Sequence, residues 1–221
     1  MKLIAPSILA ADLTRLGEEI LAVKNAEVDW IHIDVMDGHY VPNISLGLPE
    51  VEAIAKIEPP PMDIHLMISN PDEFVDRFIE AGNPHVKLIT VQVEACKLLH
   101  STIHKIKSKG IMAGVAVNPA TPISALEEAM NFIDLILIMT VEPGFAGQPF
   151  IHQMLDKIRK TRKMIDESGY NILIEVDGGI KLNNIQEAAI CGADVFVSGS
   201  GIFATSNYKE TVAEMRRLIK I

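Results

Sequence analysis

The sequence predicts an α/β chain whose eight parallel strands close into a single-domain (β/α)8 barrel over residues 1–221. Two observations carry this expectation. Strand-like and helix-like segments alternate eight times with short connections, no linker and no low-complexity tract, and 221 residues suit one such closed barrel. Polar residues also gather at the C-terminal ends of the strands, where barrels of this kind carry their active sites. An open doubly wound sheet is the alternative, but the first strand–helix turn lacks the glycine-rich fingerprint of dinucleotide-binding sheets.

The first strand is expected over 3–9. Asp12 can then cap a helix with Leu13, Leu16, Ile20 and Val23 on its apolar face. The second strand is the most informative stretch, Trp30-Ile31-His32-Ile33-Asp34-Val35-Met36-Asp37-Gly38. Ile31, Ile33 and Val35 share one parity and His32, Asp34 and Met36 the other, so a strand sends the two sets to opposite faces. Asp37-Gly38 ends it with turn chemistry. A helix around Val51, Ile54 and Ile57 stops at Pro59, Pro60 and Pro61. The third strand is Met62–Met67. Asn70 and Pro71 start a helix that buries Phe74, Val75, Phe78 and Ile79 and ends at Gly82. A fourth strand over 86–93 is followed by a helix with Leu98, Leu99, Ile103 and Ile106.

The fifth strand, 111–117, breaks at Asn118-Pro119, and a helix with Leu126 and Met130 starts near Pro122. The sixth, 135–141, is apolar on both parities, as a strand covered on both faces should be. A glycine-containing loop follows, then a helix with Met154, Leu155, Ile158 and Ile165 that ends at Gly169. The seventh strand is 172–176, followed by Asp177-Gly178-Gly179 and a helix around Ile185 and Ala189. The eighth is 194–197, followed by Ser198-Gly199-Ser200-Gly201 and a last helix with Val212, Met215 and Ile219.

The composition is 48% hydrophobic and 22% charged, typical of a globular domain, and the net charge of -9 argues against nucleic acid or an anionic membrane as partner. An anionic ligand must then be held by backbone N–H groups and local dipoles. The basic run Lys157, Arg159, Lys160, Arg162 and Lys163 reads as a solvated helix face. Cys96 and Cys191 have neither metal nor redox spacing and read as small buried side chains in a reducing compartment. Pro6 and Ser7 interrupt the apolar N-terminal run, which reads as a strand rather than a targeting segment, and no run approaches membrane-spanning length. A cytoplasmic homo-oligomer is expected.

The barrel rule brings Ser7, His32, Asp34, His65 and Asp177 to one rim. Alone, a buried histidine or aspartate is usually a satisfied core group or a cap. Two imidazoles and two carboxylates together form a plausible metal site. Ser7 reads equally well as a strand-end serine bonded to backbone. Gly144, Phe145, Ala146 and Gly147 after the sixth strand, Gly178 and Gly179 after the seventh, and Gly199 and Ser200 after the eighth expose backbone N–H groups, the last two pairs just before helix N-termini. Three such turns on adjacent strands point to a phosphate. Met36, Met67 and Met139 read either as core filler or as pocket wall. Two carboxylates facing each other across a bound sugar phosphate suit inversion at a carbon beside a carbonyl: one takes a proton, the other returns one to the opposite face, and a metal stabilises the enediolate between the steps.

Ala5-Pro6-Ser7-Ile8-Leu9, His32-Ile33-Asp34-Val35-Met36-Asp37-Gly38, Val41-Pro42-Asn43, His65-Leu66-Met67, Pro143-Gly144-Phe145-Ala146-Gly147-Gln148 and Glu175-Val176-Asp177-Gly178-Gly179 closely resemble the ribulose-phosphate 3-epimerase family, over essentially the whole chain. The resemblance implies a TIM barrel that interconverts D-ribulose 5-phosphate and D-xylulose 5-phosphate in the pentose phosphate pathway. It implies one divalent metal on His32, Asp34, His65 and Asp177, with zinc, iron, manganese and cobalt all suited to that ligand set. Asp34 would accept the proton and Asp177 donate it in one direction. Ser7, His65, Gly144, Phe145, Ala146, Gly147, Asp177, Gly178, Gly179, Gly199 and Ser200 would contact the substrate.

Three positions depart from the family pattern. Gln92 replaces a common histidine, Ala146 a usual glycine and Gly201 a common alanine. The Phe-Ala-Gly-Gln-Pro-Phe form of the loop resembles allulose-6-phosphate 3-epimerase, which keeps a hexulose phosphate open as substrate. A sugar-phosphate decarboxylase or aldolase would need a lysine at the active rim, and Lys87 begins its strand at the other end. A barrel that merely binds sugar phosphate would not need both Asp34 and Asp177.

Overall fold

A computed structural model describes residues 2–220. Its strands are β1 (Leu3–Pro6), β2 (Ile31–Met36), β3 (Met62–Met67), β4 (Val86–Gln92), β5 (Met112–Val117), β6 (Leu135–Met139), β7 (Leu173–Asp177) and β8 (Val195–Ser198). All pair in parallel, in the order β1-β8-β7-β6-β5-β4-β3-β2. A parallel bridge between Ser7 and His32 brings β1 back to β2 and closes the ring. The helices are α1 (Leu16–Asn25), α2 (Leu48–Ala55), α3 (Pro71–Gly82), α4 (Leu99–Ser108), α5 (Met154–Ser168), α6 (Ile185–Ile190), α7 (Ser200–Phe203) and α8 (Tyr208–Ile219), with a 3-10 helix at Ile123–Ala129 between β5 and β6. The (β/α)8 barrel is the expected one, a TIM barrel in a single domain.

Strand parity divides the core. Outward residues such as Ile31, Ile33, Ile64, Ile89, Val115, Ile136, Ile174 and Phe196 pack with the inner stripes of the helices, including Ile20, Val51, Phe78, Ile103, Ile158 and Met215. Inward residues Ala5, Leu88, Ala116, Leu135, Leu137, Met139, Val195 and Val197 fill the barrel with Trp30. The opposite parity of β2 therefore turns His32, Asp34 and Met36 into the interior.

Several boundaries differ from the sequence expectation. β1 stops at Pro6, and Ile8–Ala10 forms a 3-10 turn that carries the chain over the barrel mouth. Asp12 caps the 3-10 turn Leu13–Arg15 by accepting from Thr14 N, so α1 begins only at Leu16. β6 ends at Met139 rather than 141, and the segment after Pro122 is a 3-10 helix rather than an α-helix. Its buried positions, Leu126 and Ala129, are three residues apart, the spacing that aligns side chains in a 3-10 turn. Among the described residues no helix is long and apolar enough to cross a membrane.

Candidate active site

Three strands and one turn aim side chains at the C-terminal mouth of the barrel. β2 delivers His32 and Asp34, β3 His65, β7 Asp177, and the turn after β1 Ser7. The register that pairs Asp34 with His65 also pairs His32 with Asp63, one step deeper. His32 and His65 are fully buried, their rings 5.6 Å apart. His32 Nε2 lies 3.2 Å from Asp34 Oδ1 and 3.9 Å from Asp177 Oδ2, and His65 Nδ1 lies 3.4 Å from Asp34 Oδ1. One donor atom from each of His32, Asp34, His65 and Asp177 falls within 4.8 Å of the other three. The structure brings together all four residues expected to bind metal.

The donor set fits a divalent cation. Two imidazole nitrogens and two carboxylate oxygens suit zinc, iron, manganese or cobalt. His65 Nδ1 is buried without a hydrogen-bond partner, and such an atom is costly unless something binds it. His32 is fixed from below, with Nδ1 2.5 Å from Asp63 Oδ2 and 3.8 Å from Glu175 Oε1. Asp63 thus takes the Nδ1 hydrogen and leaves the Nε2 lone pair facing Asp34 and Asp177. Asp63 and Glu175 are both fully buried, and the sequence pattern does not mark either as a site residue. Each shares a parity with a site residue, and that was the available signal.

The two site carboxylates are tuned apart. Burial would raise Asp34, but contacts with His32 and His65 outweigh it and hold its carboxyl well below the usual range. Ser7 Oγ donates to Asp34 Oδ2 at 2.7 Å. At Asp177 the balance reverses: burial, then the negative charge of Asp34, outweigh the pull of His32 and push it up to about 7. Burial alone would lower His32, yet Asp63 and Asp34 raise it well above its ordinary value, whereas burial prevails at His65 and lowers it. Burial, with Asp63 beside it, also holds Glu175 well above the carboxylate range.

Above this cluster opens a cleft of about 560 Å3, its mouth included. Ser7, Asp34, Asp177, Gly144, Phe145, Ala146, Gly147, Gly178, Gly179, Gly199 and Ser200 line it, as do Met36, Met67 and Met139, which are therefore pocket wall. His65 lies beneath this wall rather than on it. No lysine or arginine lines the cleft among the described residues, so an anion there would meet uncharged donors, backbone N–H groups and the Ser200 hydroxyl among them.

The loops around the cleft are braced. Asn43 Nδ2 donates to Gly144 O at 2.7 Å, and Gln148 Nε2 donates to Glu142 O and Phe145 O at 2.6 and 3.0 Å. Thr140 Oγ1 donates to Gly178 O, and Asn184 Nδ2 to Gly179 O. Gly179 has φ +69°, and a Cβ there would sit 2.5 Å from Phe150 N, so only glycine lets the two loops approach this closely. Gly199 caps α7 directly, but Gly178 and Gly179 do not precede a helix start: a turn intervenes and α6 begins at Ile185. Lys157 also departs from a solvated face, because its Nζ donates to the carbonyls of Asn118, Pro119 and Thr121 and ties the loop after β5 to α5. Its neighbours Arg159 and Lys163 stay at the surface, paired with Asp156 and Glu167.

Comparison with known proteins agrees with this geometry. The model of the ribulose-phosphate 3 epimerase family matches residues 3–203. A ribulose-phosphate 3-epimerase of Escherichia coli (strain K12) is 48% identical over 215 residues, covering 97% of this chain and 94% of its own. The ribulose-phosphate 3-epimerase of Bacillus subtilis (strain 168) is 45% identical over 214 residues, covering 96% and 97%. Among solved structures, 3-hexulose-6-phosphate synthase from Salmonella typhimurium superposes with a TM-score of 0.70 at 20% identity, over 99% of this chain and 98% of that one. 3-Keto-L-gulonate-6-phosphate decarboxylase from Vibrio cholerae gives 0.70 at 15% identity, with the same coverage, and shares the fold alone. Near-full-length relatives at this identity, and a matching family model, establish that the chain belongs to the ribulose-phosphate 3-epimerase family.

Proposed function

We propose that the protein is an isomerase that epimerises D-ribulose 5-phosphate and D-xylulose 5-phosphate at C3, with Asp34 and Asp177 as its two bases. The observation that carries this reading is the convergence of His32, Asp34, His65 and Asp177 at the floor of a cleft walled by three glycine-bearing loops. Asp34, held ionised, takes the C3 proton from one face. Asp177, which keeps a proton near neutral pH, returns one to the other face of the enediolate. The reaction ends with Asp34 protonated and Asp177 ionised, which is the starting state for the reverse direction. Ser7 supports the ionised form of Asp34 through its hydroxyl. A divalent cation on the four-residue set would supply Lewis-acid stabilisation of negative charge on the substrate oxygens.

The phosphate would rest on backbone N–H groups of Gly144, Phe145, Ala146 and Gly147, of Gly178 and Gly179, and of Gly199 and Ser200. This is the side of the barrel where such sites occur. The whole chain acts as one sugar-phosphate-binding unit, in the cytoplasm, as a homo-oligomer. Two free cysteines agree with a reducing compartment. The test is a kinetic comparison of ribulose 5-phosphate with allulose 6-phosphate on metal-analysed protein. The pentulose phosphate is expected to have the higher kcat/KM, and a preference for the hexulose phosphate overturns the substrate assignment.

A further inference from the structure

The side chain of Gln92, at the end of β4, is fully buried and enters no step of the proposed chemistry. Its Nε2 lies 3.0 Å from His65 Nε2, and its Oε1 is buried without a partner. On the other side of the same ring, His65 Nδ1 is also buried and unpartnered, and it faces Asp34. The two orphaned atoms therefore flank one imidazole.

A neutral imidazole carries a single N–H. With the Gln92 amide nitrogen against Nε2, that nitrogen has to accept, and the hydrogen sits on Nδ1. Nδ1 then has no lone pair for a cation. A half-turn of the amide exchanges Oε1 for Nε2 against the ring. Oε1 then accepts from Nε2–H, and the Nδ1 lone pair is freed toward Asp34 and Asp177. One rotation gives Oε1 its donor and leaves on Nδ1 a lone pair that a cation would satisfy. We infer that Gln92 is a positioning residue that holds His65 in the tautomer offering Nδ1 to a divalent cation, as Asp63 does for His32 Nε2. A primary amide can serve either tautomer, so this position suits both the empty and the loaded site. The departure from histidine at this position keeps that two-way capacity.

This inference rests on the proposed metal set, and its test separates the two. Protein stripped of metal is titrated with zinc against a competing chelator, for wild type, Gln92→Leu and Gln92→Glu, each checked for folding by circular dichroism. Wild type is expected to take up one zinc. Gln92→Leu removes the acceptor, and zinc affinity should fall ten- to a hundredfold, the usual effect of losing a hydrogen-bond partner behind a ligand histidine. Gln92→Glu keeps an acceptor and should bind zinc at least as tightly as wild type. Wild-type affinity in Gln92→Leu, or equal weakening in both variants, overturns the inference and leaves the metal set standing. Failure of wild type itself to bind zinc overturns the metal set, and the inference with it.

Discussion

Asp34 and Asp177 meet over one cleft, yet two histidines and a serine surround the first while the second has mainly burial and a like charge. In the proposed mechanism that difference lets one group start as base and the other as acid. Asp34→Asn and Asp177→Asn should each lower kcat by at least about 100-fold, read as epimerisation rate and as solvent deuterium incorporation at C3. The metal-free protein carries a second signature. Asp177 holds its proton more tightly folded than unfolded, so its contribution to stability is complete below about pH 4 and is lost as pH rises through about 7. Thermal melts of stripped protein should show the midpoint falling across that window, and Asp177→Asn should flatten the fall, with the remaining slope following Glu175. Gly201 offers a third test. A Cβ there would sit 2.4 Å from Ser198 Oγ and 2.6 Å from Ile180 O, and Ser198 Oγ donates to that same carbonyl. Gly201→Ala should cost about 1–3 kcal/mol in denaturant unfolding. Adding Ser198→Ala should recover part of it, giving a non-additive cycle of about 0.5 kcal/mol or more. The departure from alanine at 201 was visible in the sequence, but its reason, a hydroxyl three residues back, needs the folded turn. Likewise the parity of β2, β3 and β7 makes His32, Asp34, His65 and Asp177 legible. The depth of Asp63 and Glu175 is not, because it depends on the stagger between strands.

At the scale of elements, the strands do little except hold direction, and the loops make the cleft. The loop over 142–148 is tied down by Gln148 from within and by Asn43 from the loop after β2. Gln148→Ala should therefore raise KM for the sugar phosphate several-fold with a smaller change in kcat, since it loosens groups proposed to hold the phosphate and leaves the proposed bases in place. An equal fall in kcat with unchanged KM would place Gln148 in the chemistry instead. Period-two and helical patterns suffice to find every strand and most helices. They fail where the element is too short or the period is three: α7 has four residues and merges into the last helix on reading, and the 3-10 helix at Ile123–Ala129 reads as α. Lys157 was hidden for another reason. Its partners are carbonyls of a loop, which no side-chain pattern records.

For the whole molecule, the site depends on strands that are distant in sequence meeting at one mouth, and a cation would bind β2, β3 and β7 together. Exhaustive chelation should abolish epimerisation and a divalent ion should restore it. Added zinc should also raise the melting midpoint in step with its concentration, as mass action requires. The junction between β1 and β2 is the shortest in the ring. It has the one bridge from Ser7 to His32, and Ile4 O accepts from the amides of Asp29 and Trp30, whereas β2 and β3 match over six residues. Ser7 and His32 are thus both rivets of the hoop and neighbours of the reacting groups. Any occupant gripped by Asp34 and Asp177 tightens the hoop at its thinnest point, and slowed amide hydrogen exchange at Asp29 and Trp30 would report it from outside the cleft.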